Sequence, residues 1–115
     1  MQNILKLDKI LHHIMNKLVN LPKKAAYWYA KYSQTALRRE QILFLYYSLG
    51  SLSGGFKAIP ELFQTACEAE LGNRLLLEIE ALRAEDDETG PAIYNCSFDD
   101  ADLKKIESIF IKAAT

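Results

Sequence analysis

The chain has 115 residues, of which 50% are hydrophobic and 25% charged, and its net charge is −1. This size and balance are those of one globular domain. No stretch reaches the ~18 uncharged apolar residues of a membrane-spanning helix. Charged residues also interrupt the N-terminal region, where a signal peptide would have a continuous apolar run. The sequence therefore predicts a single domain over residues 1–115, with no membrane span and a cytoplasmic location.

The charges are unevenly distributed along the chain. Residues 1–40 carry eight Lys and Arg against two acidic residues, a net charge of +6, whereas residues 41–115 carry six against thirteen, a net charge of −7. Charges of opposite sign attract the two parts to each other, either within one chain or between chains. Because the domain as a whole lacks the basic character of nucleic-acid-binding proteins, no nucleic acid is predicted as a partner.

The strongest periodic signal lies in residues 4–21, where aliphatic side chains recur every three or four positions. This spacing lines one face of an amphipathic helix, and it also fits a short coiled-coil seam. The face could pack against its own domain, against a second copy in a homodimer, or against another helical protein. The residues of this predicted interface, the N-terminal seam, are Ile4, Leu7, Leu11, Ile14, Leu18 and Leu21.

Two further helices are predicted between Pro22 and residue 50. Pro22 suits a helix start, where its missing N–H costs nothing, and residues 23–37 place alanine and aromatic side chains at helical spacing. Thr35 is predicted as the N-cap of the next helix. That helix, over residues 38–49, is apolar on most faces, which is typical of a central helix.

Glycines and a proline divide the middle of the chain. The glycine- and serine-rich stretch 50–55 predicts a kink, a close helix crossing or a loop. A new helix is predicted at Pro60, since proline is favoured in the first turn. Gly72 and Asn73 predict a weak break before the next helical stripe.

Two apolar stripes predict the last helices. The acidic run 85–88, followed by Gly90 and Pro91, ends the first of them. Residues 97–100 fit a capping box that opens the second. The stripes are Leu71, Leu75, Ile79 and Leu82, then Leu103, Ile106, Ile109, Phe110 and Ala113.

Few residues are arranged for catalysis or metal binding. His12 and His13 are adjacent, so on a helix they point about 100° apart and cannot hold one metal ion from one face. The run 85–88 fits a solvated helix end better than a cation site. Cys67 and Cys96 have no metal-ligand spacing and are predicted to be free, buried thiols. No metal or cofactor is predicted.

Aromatic and basic residues are mixed in the helix predicted over residues 23–37. This mixture occurs in proteins that bind single-stranded nucleic acids or membrane surfaces. Amphipathic rings packed in a helical core explain it as well, and that interpretation is favoured here. The residues concerned are Tyr27, Trp28, Tyr29 and Tyr32, with Lys23, Lys24 and Lys31.

Three parts of the chain follow a familiar order. An Arg-Glu-Gln helix with aromatics spans 38–47, a segment with a proline spans 56–63, and a helix at 73–80 leads to an acidic, glycine-containing turn at 85–90. This order resembles the heme-oxygenase-like superfamily, which includes TenA-type, PqqC-type and iron-dependent oxidase relatives. The resemblance implies an all-α bundle with a ligand pocket, and it points to Glu40, Tyr46, Glu78 and Glu85 as ligand-binding residues.

The chain also departs from that superfamily. Its members are longer, and the metal-binding relatives place histidines and carboxylates on their core helices, whereas this sequence has no histidine after His13. A His-containing di-iron centre therefore cannot be assembled within this chain. The chain would form half of such a bundle, which a second copy could complete by dimerisation.

These patterns predict an all-α bundle of about five helices, with antiparallel neighbours joined by short loops. The first functional hypothesis is a non-catalytic module that self-associates or binds another helical protein through the N-terminal seam. The second is a heme-oxygenase-like enzyme, ligand-binding or redox-active, with its pocket between helices or subunits.

Overall fold

The computed structural model describes residues 21–52, 54–88 and 97–114 of the chain. Within these ranges it contains five α-helices, one short 3-10 helix and no strand, so the predicted all-α fold is confirmed. The α-helices are α1 (Lys23–Gln34), α2 (Arg38–Gly50), α3 (Ile59–Thr65), α4 (Ala69–Glu88) and α5 (Asp100–Ala114), and the 3-10 helix is Phe56–Ala58.

Several sequence predictions fall outside the described residues. They concern the helix predicted over residues 4–21, all of the N-terminal seam except Leu21, the two histidines, Cys96, and the stop signal at Gly90 and Pro91. Leu21 itself is buried in the hydrophobic core. Among the described helices, none combines the length and the apolar character needed to cross a bilayer.

Helix α2 is central, as its apolar sequence predicts. It packs against α1, α4 and α5, and the side chains of Ile42, Leu45 and Leu49 are completely buried. Ser48 is buried on the same helix, and its hydroxyl donates to the carbonyl of Phe44 one turn earlier at 2.7 Å. That local hydrogen bond satisfies the hydroxyl, so a polar residue fits in the core.

The joint between α1 and α2 differs from the predicted capping arrangement. Leu37 is the N-cap residue of α2 and supplies no side-chain cap, so the assignment of this role to Thr35 is wrong. The Thr35 hydroxyl instead accepts from the backbone N–H of Leu37 at 3.3 Å and donates to the carboxylate of Glu40. Thr35 therefore stabilises the first turn of α2 from a position two residues before the N-cap residue Leu37.

The glycine-rich stretch forms both a close contact and a turn. At Gly50, a Cβ atom would lie 2.1 Å from ring atoms of Phe56, so only glycine fits there without moving the ring. Gly54 and Gly55 have φ angles of +103° and +70°, a region that glycine adopts without steric cost. The chain then enters α3, with Pro60 in its first turn as predicted.

The break predicted at Gly72 and Asn73 is wrong, because α4 continues through both residues. The chain turns earlier, at Cys67, which has a φ of +60°. There the N–H of Glu68 donates to the carbonyl of Phe63 at 2.8 Å, as in a Schellman helix end. Gly72 lies where a Cβ would come within 2.7 Å of Phe63, so its role is to let α3 and α4 approach closely.

The last two long helices complete the core. Their predicted stripes are buried except at Ala113, which is exposed while its neighbour Ala114 is buried. The capping box of α5 lies two residues later than predicted. The N–H of Asp102 donates to the Asp99 carboxylate at 2.8 Å, and the N–H of Asp99 donates back to Asp102 at 3.5 Å.

Contacts between the basic first part and the acidic remainder occur within this one chain. Arg38, at the start of α2, forms a salt bridge of 2.7 Å with Asp100, at the start of α5. The Asp100 side chain is mostly exposed, so this pair contributes little to stability. The predicted attraction between residues 1–40 and residues 41–115 therefore includes at least this contact within one chain.

Candidate functional site

The aromatic residues of α1 are divided between two sides of the helix. Tyr29 and Tyr32 turn toward α5, and their rings stack with centroids 5.9 Å apart. The Tyr29 hydroxyl donates to the carboxylate of Glu107 at 2.5 Å, and its ring lies 4.9 Å from that of Phe110. This side, which we call the closed side of α1, therefore has polar and apolar partners from the same chain, while both tyrosines remain partly exposed.

The environment of these two tyrosines keeps their hydroxyl groups protonated. Burial raises the pKa of Tyr29, and the hydrogen bond to Glu107 and the charge of that carboxylate raise it further. Burial followed by the charge of Glu107 also raises the pKa of Tyr32, although Arg38 acts in the opposite direction. At neutral pH Tyr29 is thus a hydrogen-bond donor that joins α1 to α5, and it is poorly suited to act as a general base.

The other side of α1 contributes to a row of aromatic rings that crosses onto α2 and the 3-10 helix. Trp28 is central: its centroid lies 5.2 Å from Tyr27, 5.8 Å from Phe44 and 4.9 Å from Tyr47. Tyr47 continues the row to Phe56 in an edge-to-face contact of 6.5 Å. We call these five residues the aromatic face.

The aromatic face remains accessible to solvent. Tyr27, Trp28, Phe44 and Tyr47 are partly exposed, and Phe56 is 46% exposed. Rings at these separations stabilise one another beyond their burial. The face is therefore an ordered apolar surface that still has area to bury.

A lysine lies over one end of the aromatic face. The Nζ atom of Lys31 is 5.4 Å from the ring centroid of Tyr27, 5.7 Å from Trp28 and 5.6 Å from Phe44. All three distances lie within the range of cation–π contacts. Lys23 on the same helix is exposed, and α1 contains no acidic residue. The border of the face along α1 is therefore positive.

The ligand-binding residues suggested by the family resemblance lie in different environments. Glu40 accepts the Thr35 hydroxyl at the start of α2. Tyr46 is buried further along that helix, where the Arg83 guanidinium lies 5.8 Å from its ring centroid. The Glu85 side chain lies outside the described residues. These contacts do not join Glu40 and Tyr46 into one site.

Glu78, the fourth of these residues, is only 8% exposed and accepts the Ser97 hydroxyl at 2.8 Å. Beside it, the Arg74 guanidinium donates to the carbonyl of Ser97 and to the carboxylate of Asp102, both at 3.1 Å. The guanidinium also lies 4.8 Å from the ring centroid of Phe98. Glu78 and Arg74 therefore hold the segment that leads into α5.

A groove that the sequence does not indicate runs between α3 and α5. Its volume is about 460 Å³, which is within the range of small-ligand sites. Its lining is mostly apolar and includes one acidic and one basic residue. The lining residues are Ala58, Glu61, Leu62, Thr65, Ala66, Ile109, Lys112 and Ala113. Glu40, Tyr46 and Glu78 are not among them.

Metal-binding and thiol chemistry have little support in the part of the chain that the structure describes. It contains no cluster of three or more His, Cys, Asp or Glu residues that could hold a metal ion. Cys67 is free and exposed, so its predicted burial is wrong.

Comparisons with protein-family models, curated proteins and solved structures found no match to this chain.

Proposed function

We propose that this chain is a non-catalytic helical module that binds other proteins, with the aromatic face as its recognition surface. The observation that carries the proposal is the position of Trp28, which is partly exposed at the centre of an ordered row of rings. Trp and Tyr provide much of the binding energy of protein interfaces, since each buries a large apolar area at a small entropic cost.

The partner that best fits this face is an acidic amphipathic helix. Its apolar stripe would cover the rings of Trp28, Phe44 and Tyr47, and its carboxylates would meet Lys31 and the exposed Lys23. Complementary charges of this kind speed association and select partners. A basic helix would meet like charges along α1 and would bind less well.

Tryptophan fluorescence tests this proposal directly, because Trp28 is the only tryptophan of the chain. The probe is a synthetic helical peptide with leucine at the a and d heptad positions and glutamate at the flanking positions. We expect a saturable blue shift of the Trp28 emission with this peptide and none with a matched peptide that carries lysine instead. Equal responses to the two peptides, or no response to either, would contradict the proposal.

A charge-reversal variant gives a second readout on the folded protein. Lys31→Glu should weaken binding of the glutamate peptide by at least about tenfold, the equivalent of 1.4 kcal/mol, and should favour the lysine peptide. Lys104→Glu is the matched control, because Lys104 is exposed on α5 and the charge change is the same. If both variants lose binding equally, the effect is one of net charge and the aromatic face is not the site.

The groove between α3 and α5 supports a second candidate function, the binding of a small ligand. Its mostly apolar lining suits a short aliphatic chain, and Thr65 and the two charged lining residues suit a polar head group. This is the ligand-binding alternative that the heme-oxygenase-like resemblance suggests, at a place on the fold that the resemblance does not indicate.

Octanoate is a suitable probe for this groove. Ala113 is exposed at its edge, so Ala113→Phe should fill the space without disturbing the core and should abolish octanoate binding in calorimetry. Ala101→Phe, at an exposed position on the same helix, is the control and should bind as the unchanged chain does. Binding that survives Ala113→Phe would place octanoate elsewhere.

A further inference from the structure

The outer face of α4 has one exposed leucine among mostly polar residues. Opposite the buried stripe of this helix, exposed residues recur at spacings of three, four, three and four, as residues on one helix face do. The exposed residues are Glu70, Asn73, Leu77, Glu80 and Ala84. Leu77 is 65% exposed, and it forms a shallow depression with Asn73, Leu76 and Glu80.

Helix α4 is also strongly acidic. It contains seven Asp and Glu residues against two Arg, a net charge of −5. Both arginines engage their own bundle, since Arg74 pairs with Asp102 and Arg83 lies over the Tyr46 ring. The outer face therefore combines the exposed Leu77 with the exposed carboxylates of Glu70 and Glu80.

We infer that the outer face of α4 binds the N-terminal seam of a second copy of this chain. The seam consists of aliphatic residues, and residues 1–21 carry a net charge of +2 from three lysines and one aspartate. As a helix, residues 4–21 would be about 27 Å long and would match the length of α4, about 30 Å. The opposite charges and the similar lengths of the two segments agree with this pairing.

The same charges separate this contact from the aromatic face. The seam is basic and the border of the aromatic face along α1 is basic, so the two repel each other, whereas α4 attracts the seam. The inference therefore goes beyond the proposed function: it concerns self-association and uses a different surface.

The position of Leu21 favours the α4 helix of a second copy. Leu21 ends the seam and is already buried in the core, and Pro22 and α1 follow without a linker. The seam is thus tied to its own core at one end, while the matching surface of α4 faces away from that core. Two copies can exchange seams by two-fold symmetry, each seam lying on the α4 helix of the other copy.

Sedimentation equilibrium on the full chain tests self-association. We expect a dimer whose dissociation constant rises with salt, as for a contact between opposite charges. Leu77→Arg should raise that constant at least about tenfold, because it removes an apolar contact and adds a like charge. Leu37→Arg is the matched control, since Leu37 is 63% exposed on the α1–α2 joint, and it should leave the dimer unchanged.

Cross-linking then identifies the two surfaces and the two chains. In a Cys67→Ser, Cys96→Ser background, one tagged chain carries Leu11→Cys and the other carries Leu77→Cys. A bismaleimide should join the two different chains in a mixture. Cross-linking found only within a single chain that carries both cysteines, no cross-link at all, or a wild-type chain that stays monomeric at every concentration would each overturn the inference. Binding of the acidic peptide at the aromatic face should persist in Leu77→Arg, so failure of one proposal is distinguishable from failure of the other.

Discussion

The two sides of α1 carry similar aromatic residues, yet different partners meet them. On one side, Tyr29 contacts Phe110 and donates to Glu107, so the rest of the chain satisfies both its ring and its hydroxyl. On the other side, the aromatic rings nearest Trp28 are themselves partly exposed, and the Lys31 ammonium lies 5.7 Å from its ring centroid. The difference shows that aromatic content alone does not separate a core from a solvent-accessible surface. The residues that contact each ring distinguish the two kinds of surface.

The comparison predicts that removing a ring that packs against Tyr29 lowers the free energy of unfolding much more than removing a ring of the aromatic face. Phe110 is completely buried, so Phe110→Ala should lower the free energy of unfolding by about 3–5 kcal/mol. Phe56→Ala should cost about 1 kcal/mol, because the ring is half in water and less apolar area is lost. Urea titration of both variants measures this difference, and similar losses would mean that the aromatic face is part of the core.

The hydroxyl of Tyr29 allows the same comparison at the level of one hydrogen bond. Tyr29→Phe keeps the ring and leaves the partly buried Glu107 carboxylate without this donor, which should cost about 1–3 kcal/mol. Tyr27→Phe makes the same chemical change on the open side and should alter stability by less than about 0.5 kcal/mol. An equal effect of the two substitutions would contradict the distinction between the sides.

The pH dependence of stability follows from the raised pKa values of Tyr29 and Tyr32. The unfolded chain releases phenolic protons near pH 10.0, whereas the folded chain holds them to higher pH. Stability from these groups is therefore complete below that pH and is lost as the pH rises above it. Equilibrium unfolding at a series of alkaline pH values should show this decline, and it should be shallower in Tyr29→Phe. An unchanged slope in the variant would remove Tyr29 from the explanation.

Local periodicity was sufficient to predict most of the core. The stripes that contain Ile79 and Ile106 are buried because a helix with one apolar face must cover it, a rule that depends on neighbouring residues alone. Apolar residues on most faces of α2 predict its central position. Helix propensity, in contrast, predicts a break at Gly72 that the structure does not have. The reason for that glycine is its contact with Phe63, nine residues earlier, and intrinsic propensity cannot show such a contact.

The candidate sites depend on contacts between helices, and this is why the sequence revealed less of them. The sequence shows Trp28 and Lys31 as part of an aromatic and basic mixture, but Phe44 joins them only because α1 and α2 pack side by side. The spacing within α2 did indicate part of the aromatic face, since Phe44 and Tyr47 are three residues apart and therefore lie on one side of the helix. The groove between α3 and α5 had no such signal, because its apolar lining combines small and aliphatic residues from distant parts of the chain.

Replacement of Lys31 distinguishes stability from recognition. Lys31→Met keeps an apolar side chain over Tyr27, Trp28 and Phe44 but removes the charge, so the loss of its cation–π contacts should cost only about 0.5–1 kcal/mol in urea titration. Binding of the glutamate peptide should nevertheless become weaker and less dependent on salt, because the charge nearest the rings has been removed.

On the closed side of α1, Tyr29→Phe should have the opposite profile, with a larger loss of stability and unchanged peptide binding. If Lys31→Met and Tyr29→Phe change stability and binding in the same proportion, the two sides of α1 do not have separate roles.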